Sequence, residues 1–444
     1  MSYPTGNITI PVRNYVNSIV DQFPRLSKIW KVEGSISSRY TRDYLPVNIR
    51  GNSEKIEDSY IEFILNSSSE EFFNLDSLFL EAIFDIERSD GAVISDDDQF
   101  SVVDGLGHLL LEKSTVHLNS VPIENNAHFG LYNVLKAYTH MSKNHVETYG
   151  AGLFYKSASN NIVEHFSSAN DKLITENEKK LKIKCKQGLH LMIPVRIDLC
   201  SSNQFMLNSV EIRMRFDLAS PKKLIKTSKT GIDYIYKLRN VKLHAEKLIP
   251  YTSAITSFNK NLNISNSFIP YLFERVICKT YIFSSGHSSY GIENAFNSHI
   301  PTRAYICMIK QDAYNGSHDS NTLYLNHCNL SSLTCELNGN NVSVLKTSFP
   351  NFAMNSFYHT LNNIQSETNL LTYANFVQGR SIYYFNLEPV DSTDTLPTER
   401  QGNLRFSLEL NTPLSDNYII FILGLFHGTV EIDSLRRVKA NFLI

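Results

Sequence analysis

The chain has 444 residues, with 42 Lys and Arg against 44 Asp and Glu, and 19% charged residues, below the roughly 25% of an ordinary soluble protein. An apolar fraction of 42% at a net charge of −2 excludes a disordered chain and a tail-driven nucleic-acid binder. The 26 Phe, 23 Tyr and 43 Asn, with sparse Gly and Pro, favour strands joined by polar loops, and the length suffices for two cores.

In chain order, residues 1–55 mix helix-like spacing over Arg13 to Val32 with polar residues. They read as an N-terminal arm that packs on its own subunit or a neighbour. Met1 to Ile10 lacks a basic region followed by an apolar run, so no secretory signal is expected. The longest apolar stretch, Tyr418 to Phe426, is far short of the roughly 20 residues of a membrane helix. The chain therefore reads as soluble and made in the cytosol.

From there the dominant period is two. Leu78, Leu80, Ala82, Phe84 and Ile86 alternate with Phe79, Glu81, Ile83, Asp85 and Glu87. One face is apolar and the other mixed, as in a strand buried on one side and partly covered on the other. Leu131 to His145 has helical spacing. Further strands are predicted at Leu189–Leu199, Ser209–Phe216, Tyr234–Leu243, Glu274–Phe283, Arg303–Ile309, Ser381–Leu387, Leu404–Leu410 and Tyr418–Phe426. Parallel α/β folds need helices between strands, and those are missing. An all-β chain of sandwich type follows.

The strand order repeats. Leu78–Ile86 is matched to Val276–Phe283, and Leu118-Asn119-Ser120 to Leu337-Asn338-Gly339. Leu189–Leu199 is matched to Leu404–Leu410, and Val210–Phe216 to Tyr418–Leu423. Every offset is about half the chain, which suggests two copies of one sandwich in tandem. The boundary is placed in the stretch Pro250 to Pro270, giving a first sandwich over 56–249 and a second over 250–444. Tyr132–Glu178 and Asn341–Asn375 are expected to be long exposed inserts.

Chemistry is hard to find. There is no phosphate loop, no G-x-S-x-G elbow and no H-E-x-x-H. Gly105-Leu106-Gly107 lacks the third glycine of a nucleotide turn. His140 and His145 are out of ligand register, and His287 lies in turn composition. Asp96-Asp97-Asp98 lacks the alternation of a calcium loop and reads as solvated. Cys185, Cys200, Cys278, Cys307, Cys328 and Cys335 have no C-x-x-C spacing and read as small buried hydrophobes. No catalytic, metal or cofactor-binding residue is assigned.

The candidate functional residues are basic. Lys180, Lys182, Lys184 and Lys186 alternate with Leu181, Ile183 and Cys185. In a strand this gives a cationic face over an apolar one. It reads either as a solvated or guarded edge or as an inter-subunit or inward-facing surface. Lys222, Lys223, Lys226 and Lys229 read as a solvated loop cluster.

The second half resembles the major capsid proteins of Polinton (Maverick) elements and adintoviruses. The matching stretches are Arg275-Val276-Ile277-Cys278-Lys279-Thr280, Ile300-Pro301-Thr302-Arg303 and Asp312-Ala313-Tyr314-Asn315-Gly316-Ser317. They continue through Leu325-Asn326-His327-Cys328-Asn329-Leu330, Tyr373-Ala374-Asn375 and Gln401-Gly402-Asn403-Leu404-Arg405. In the first half, Tyr60-Ile61-Glu62-Phe63, Val116-His117-Leu118-Asn119, Tyr149-Gly150 and Phe205–Val210 follow in the family's order, so the likeness spans about 59 to 438.

This resemblance implies a double jelly roll: two tandem eight-stranded antiparallel sandwiches. It implies a major capsid protein that forms pseudo-hexagonal homotrimers tiling an icosahedral shell around double-stranded DNA. The implied partners are other copies of the chain, penton or minor capsid proteins, and weak contacts with enclosed DNA, with no small-molecule substrate. The implied location is the virion shell, after synthesis in the host cytosol and assembly in cytoplasm or nucleus. The competing readings are a β-sandwich attachment, vertex or carbohydrate-binding protein, and a β-sandwich glycosidase with paired carboxylates.

Overall fold

The computed structural model describes residues 43–48, 59–141, 164, 188–265, 268–364, 370–388 and 400–440, less short gaps at 96–97, 99, 203, 228–231, 348 and 350–352. The first half contains β1 (Asp43–Asn48), β2 (Tyr60–Asn66), β3 (Phe72–Arg88), β4 (Phe100–Val102), β5 (Leu111–Leu118) and β6 (Val121–Asn126). It continues with β7 (Leu189–Pro194), β8 (Phe205–Met206), β9 (Glu211–Leu218), β10 (Ile225–Thr227) and β11 (Tyr234–Leu248). Its helices are α1 (Leu106–Leu110), α2 (Phe129–His140) and α3 (Pro221–Leu224), with a 3-10 turn at Asp198–Ser202. Helix α4 (Thr252–Ser265) leads into the second half.

There follow β12 (Ile269–Phe283), β13 (Ser289–Ile292), β14 (His299–Ile300), β15 (Arg303–Lys310), β16 (Leu330–Leu337) and β17 (Asn340–Lys346). The chain closes with β18 (Tyr383–Asn386), β19 (Arg400–Gln401), β20 (Leu404–Leu410), β21 (Tyr418–Ile432) and β22 (Val438–Ala440). The helices here are α5 (Gln311–Asn315), α6 (Met354–Ile364) and α7 (Tyr373–Val377).

The topology is the same in both halves. The first sandwich stacks β1-β11-β3-β7 against β2-β9-β5-β6, and the second stacks β12-β21-β15-β18 against β13-β20-β16-β17. Every pairing within these sheets is antiparallel. Counted along the chain within each half, the eight strands run 1-8-3-6 and 2-7-4-5 both times. This is the jelly-roll order, with each early strand paired to a late one so that two sheets close over one core. The fold is a double jelly roll.

Local chemistry explains each element. The inward residues of β3 (Leu78, Leu80, Ala82, Phe84 and Ile86) are all buried, while the residues between them reach the outer face. The β5–β6 and β16–β17 hairpins turn through two residues each, Asn119-Ser120 and Asn338-Gly339. All four have positive φ, the geometry that matches the right-handed twist of the strands. Helix α2 crosses α1 so closely that a Cβ on Gly130 would lie 2.7 Å from the His108 carbonyl. Only glycine admits that approach.

The repeat is real, but three of the four sequence matches are displaced. Leu78–Ile86 lies in β3, whose counterpart is β15, whereas Val276–Phe283 lies in β12, whose counterpart is β1. Leu189–Leu199 begins with β7 and matches β18, not β20, and Val210–Phe216 covers β9, which matches β20, not β21. The hairpin match alone is in register. Alternation recurs from strand to strand and marks no single position, whereas a two-residue turn marks one place only.

The error starts at β1. Asp43–Asn48, placed with the arm, pairs along β11 and forms the edge of the first sandwich. Its Pro46 weakens the strand signal, yet an edge strand tolerates a missing N–H. The remaining 1–42, with the helical spacing at Arg13–Val32, lies outside the described residues. The expected insert at Asn341–Asn375 instead supplies β17, α6 and part of α7. The insert at Tyr132–Glu178 begins inside the buried helix α2, and apart from Glu164 its residues beyond Met141 lie outside the described residues.

Candidate assembly surfaces

Among the described residues no group of three or more His, Cys, Asp or Glu could hold a metal ion. Among them, no helix is long and apolar enough to cross a membrane. Cys200, Cys278, Cys307, Cys328 and Cys335 are free, and burial pushes their thiols well above the usual range. A shallow depression of about 420 Å³ lies on the outer face of β2-β9-β5, lined by Glu62, Lys113, Thr115, His117, Arg213, Arg215 and Asp217. It is open to solvent and mixed in charge. The informative features are the faces where sheets meet something, or do not.

The two rolls meet in a built junction. Helix α2, from the connection between β6 and β7, lies against the outer face of the β12-β21-β15-β18 sheet. His128 meets the edge of Phe421 at 5.2 Å between ring centroids, and Tyr314 meets it at the same distance. Thr139 Oγ1 is 3.4 Å from the Tyr305 hydroxyl, and His140 packs edge-on to Tyr384 at 6.0 Å. This is why β21 is apolar on both faces and reads as a continuous run. Burial drives the His128 and His140 imidazoles toward the neutral form, His140 down to about 4.

Polar bonds fix the junction's register. Arg380 of the second roll donates to Asp104 of the first at 2.6 Å, lies 4.2 Å over the Tyr138 ring, and Tyr138 donates to the same carboxylate at 3.1 Å. The Tyr271 hydroxyl accepts from Leu207 N at 3.2 Å and donates to the Phe205 carbonyl at 3.1 Å. Arg436 donates through Nε to the Asn208 carbonyl at 2.8 Å, while Asn119 Nδ2 donates to the Arg436 carbonyl at 2.7 Å.

Two carboxyls lie inside this junction. Glu124 is 3% exposed and Asp198 is 6% exposed. Glu124 accepts from Ser114 Oγ and, at 2.6 Å, from Asp198 N. Asp198 Oδ2 accepts from Val276 N of the second roll at 3.2 Å. Burial raises Glu124 to about 7, and burial together with Glu124 raises Asp198 well above the carboxylate range. Both therefore hold their protons to higher pH than exposed acids do.

The opposite side of the first roll presents a different surface. The outer face of β11-β3-β7 carries cross-strand ion pairs together with the exposed Lys242. Glu81 sits between His244 at 2.7 Å and His190 at 3.0 Å, Asp85 pairs with Arg239 at 2.9 Å, and Glu87 pairs with Lys237. Between these pairs lie Ile83, Met192 and Phe79, the last stacked on His244 at 4.5 Å.

The structure sorts the sequence candidates. Lys180, Lys182, Lys184 and Lys186 lie outside the described residues, as do Lys229, His145, Cys185, Asp96 and Asp97. Lys226 is not solvated: it is 0% exposed in β10 and donates across the junction to the Ser317 carbonyl at 3.0 Å, with Lys222 O and Thr322 Oγ1 at 3.2 and 3.3 Å. Burial lowers its ammonium to about 7. Lys223 pairs with Glu112. Asp98 is buried and lies 3.6 Å from Arg88. His287 is in an exposed turn as expected, and Gly105 with positive φ opens α1. Sequence reading missed Glu124, Asp198 and Arg380. An acid inside an apolar strand alternation, as Glu124 is after Ile123, was the one available signal.

No protein-family model matches the chain. At 21% identity over 414 residues, 86% of this chain and 93% of its length, it aligns with the uncharacterized protein F54H12.2 of Caenorhabditis elegans. Among solved structures it is similar to a chain of the Sputnik virophage determined by cryo-EM, with a TM-score of 0.61, 12% identity, and 93% and 90% of the two chains covered. The Faustovirus major capsid protein gives 0.57 at 7% identity over 94% and 98%, and the mavirus major capsid protein 0.54 at 8% over 94% and 93%. At such identities the likeness shows the fold, over nearly the whole chain.

Proposed function

We propose that this chain is a structural capsid protein, a major shell subunit that acts by assembling rather than by catalysis. The observation that carries this reading is the pairing of two identical topologies in one chain with the fold of viral capsid proteins over nine-tenths of its length. Two like rolls side by side make one third of a pseudo-hexagon. Three copies related by cyclic symmetry close it through a heterologous contact, which needs two different faces on each subunit. Such a tile fills an icosahedral lattice with one gene product. The Polinton or adintovirus type, the homotrimer, contacts with minor capsid proteins and with enclosed double-stranded DNA belong to this proposal. So does the virion as its location.

The low charge content supports it, since extensive subunit contacts favour neutral surface. The test is assembly of the purified chain. Light scattering at micromolar concentration is expected to give a trimer, and negative-stain images pseudo-hexagonal particles or shells. A monomer with isolated lobes in the images would overturn the reading and favour an attachment or carbohydrate-binding protein.

A further inference from the structure

The fifth strand of each sandwich and the helix that follows it form a side wall of the roll: β6 with α2 in the first, β17 with α6 in the second. The first wall is sealed. β6 lies against β12 and β22 of the second roll, and ten of the twelve residues of α2 are buried. No large apolar side chain from Val121 to His140 is exposed.

The second wall differs. Helix α6 packs on β18 and β17 and buries Ser356, Phe357, Thr360 and Ile364. Met354 and Tyr358, one helical turn apart, are 42% and 56% exposed. Ser343 of β17 turns toward α6 and bonds His359 at 2.9 Å, so Val342 and Val344 stand on the other side of the strand, 48% and 44% exposed. Four of the eleven large apolar side chains exposed among the described residues thus fall on this one wall. From Asn340 to Ile364 the only Lys, Arg, Asp or Glu is Lys346, in a chain that is 19% charged. The sealed wall is similarly bare, with only Glu124 and Lys136 between Val121 and His140. Loss of charge with exposed Tyr and Met marks the core of an interface rather than a solvated surface.

We propose that the β17–α6 wall of the second roll is covered by a second copy of this chain. This rests on the assembly role argued above and names a surface that carries it. The first wall points to the occupant: what closes it is a roll of the same topology, and a further copy supplies another such roll. Within the chain, wall does not meet wall. The first wall meets β12 and the outer face of β21 and β15. Repeated between chains, the contact is heterologous, so it propagates around a ring rather than closing as a twofold dimer. A wall with one charge at its rim is covered at little desolvation cost.

In the experiment, a minority of full-length Tyr358→Cys chain in a Cys185→Ser background is labelled with a benzophenone maleimide. It is assembled with isotopically heavy unmodified chain and irradiated. Cross-links between light and heavy chains are expected, with their far ends outside Asn340–Ile364. Tyr358→Glu and Val344→Glu, at solvent-facing positions, are expected to leave the circular dichroism intact. Each should raise the concentration for half-assembly by at least about tenfold. Should a glutamate variant misfold, the cross-link alone decides. If the unmodified chain assembles but no cross-link forms and both glutamate variants assemble normally, the contact is wrong and the assembly role stands. Cross-links confined to Asn340–Ile364 of the other chain would mean a twofold contact and equally overturn it. If the unmodified chain stays monomeric, both fall.

Discussion

Asn338 stands in the second roll where Asn119 stands in the first, and each makes the same two bonds. Asn119 N donates to the Glu211 carbonyl at 3.0 Å and its Oδ1 accepts from Glu211 N at 2.8 Å. Asn338 N donates to the Asn403 carbonyl at 2.9 Å and its Oδ1 accepts from Asn403 N at 2.8 Å. Each asparagine closes a hairpin and holds the start of the neighbouring strand, β9 or β20. Asparagine suits both tasks, since it tolerates positive φ and carries an acceptor on a short stem.

Replacing either asparagine by alanine removes the side-chain bond and places a Cβ in a left-handed conformation. The two costs together come to about 2–3 kcal/mol. Asn338→Gly keeps the conformation available and should lose only about 1 kcal/mol. Denaturant melts of the three variants should rank in that order. Asn119→Ala should cost more than Asn338→Ala, because Asn119 also holds Arg436 of the other roll.

The acid pair at the junction makes stability depend on pH. Glu124 is raised from about 4.5 to about 7, and Asp198 is raised as well. A raised carboxyl contributes fully while protonated, and that contribution is lost as pH climbs from the unfolded value through the folded one. Melting temperature should therefore fall between about pH 4.5 and pH 7 on this account. Glu124→Gln cannot ionise and should flatten that slope; an unchanged slope would show that the pair does not govern it.

Arg380 is expected to be a stability residue of the junction. Arg380→Met removes the cation bonded to Asp104, whose side chain is only 14% exposed, at a cost of about 3 kcal/mol. Adding Asp104→Asn should recover part of it. Additive losses in the double-mutant cycle would mean the two groups do not act as a pair.

The lysine alternation at 180–186 is proposed as an inter-subunit or inward surface. Lys182→Glu with Lys184→Glu should lower the yield of assembled particles or their DNA content. Normal particles from that variant would return these residues to a merely solvated face.

How far the sequence could be read follows from which interactions are local. Alternation along β3, β9 and β20 reports burial residue by residue, so the strands and the all-β class were legible. The turn asparagines at 119 and 338 report a backbone need, so the repeat was visible at that one place. Pairing order is set by contacts as far as about two hundred residues apart, as between Asp43 and Lys247, and no local pattern encodes it. That is why β1 was missed and three strand matches slipped. Burial against the other roll is equally non-local. It turned Lys226 from a supposed solvated lysine into a junction donor, and it made Glu124 and Asp198 a proton-holding pair. The amino-acid sequence alone determined two β cores and where their strands lie. Only the tertiary structure decided which sheet face the other roll's helix seals, because that depends on how one finished sandwich seats on another.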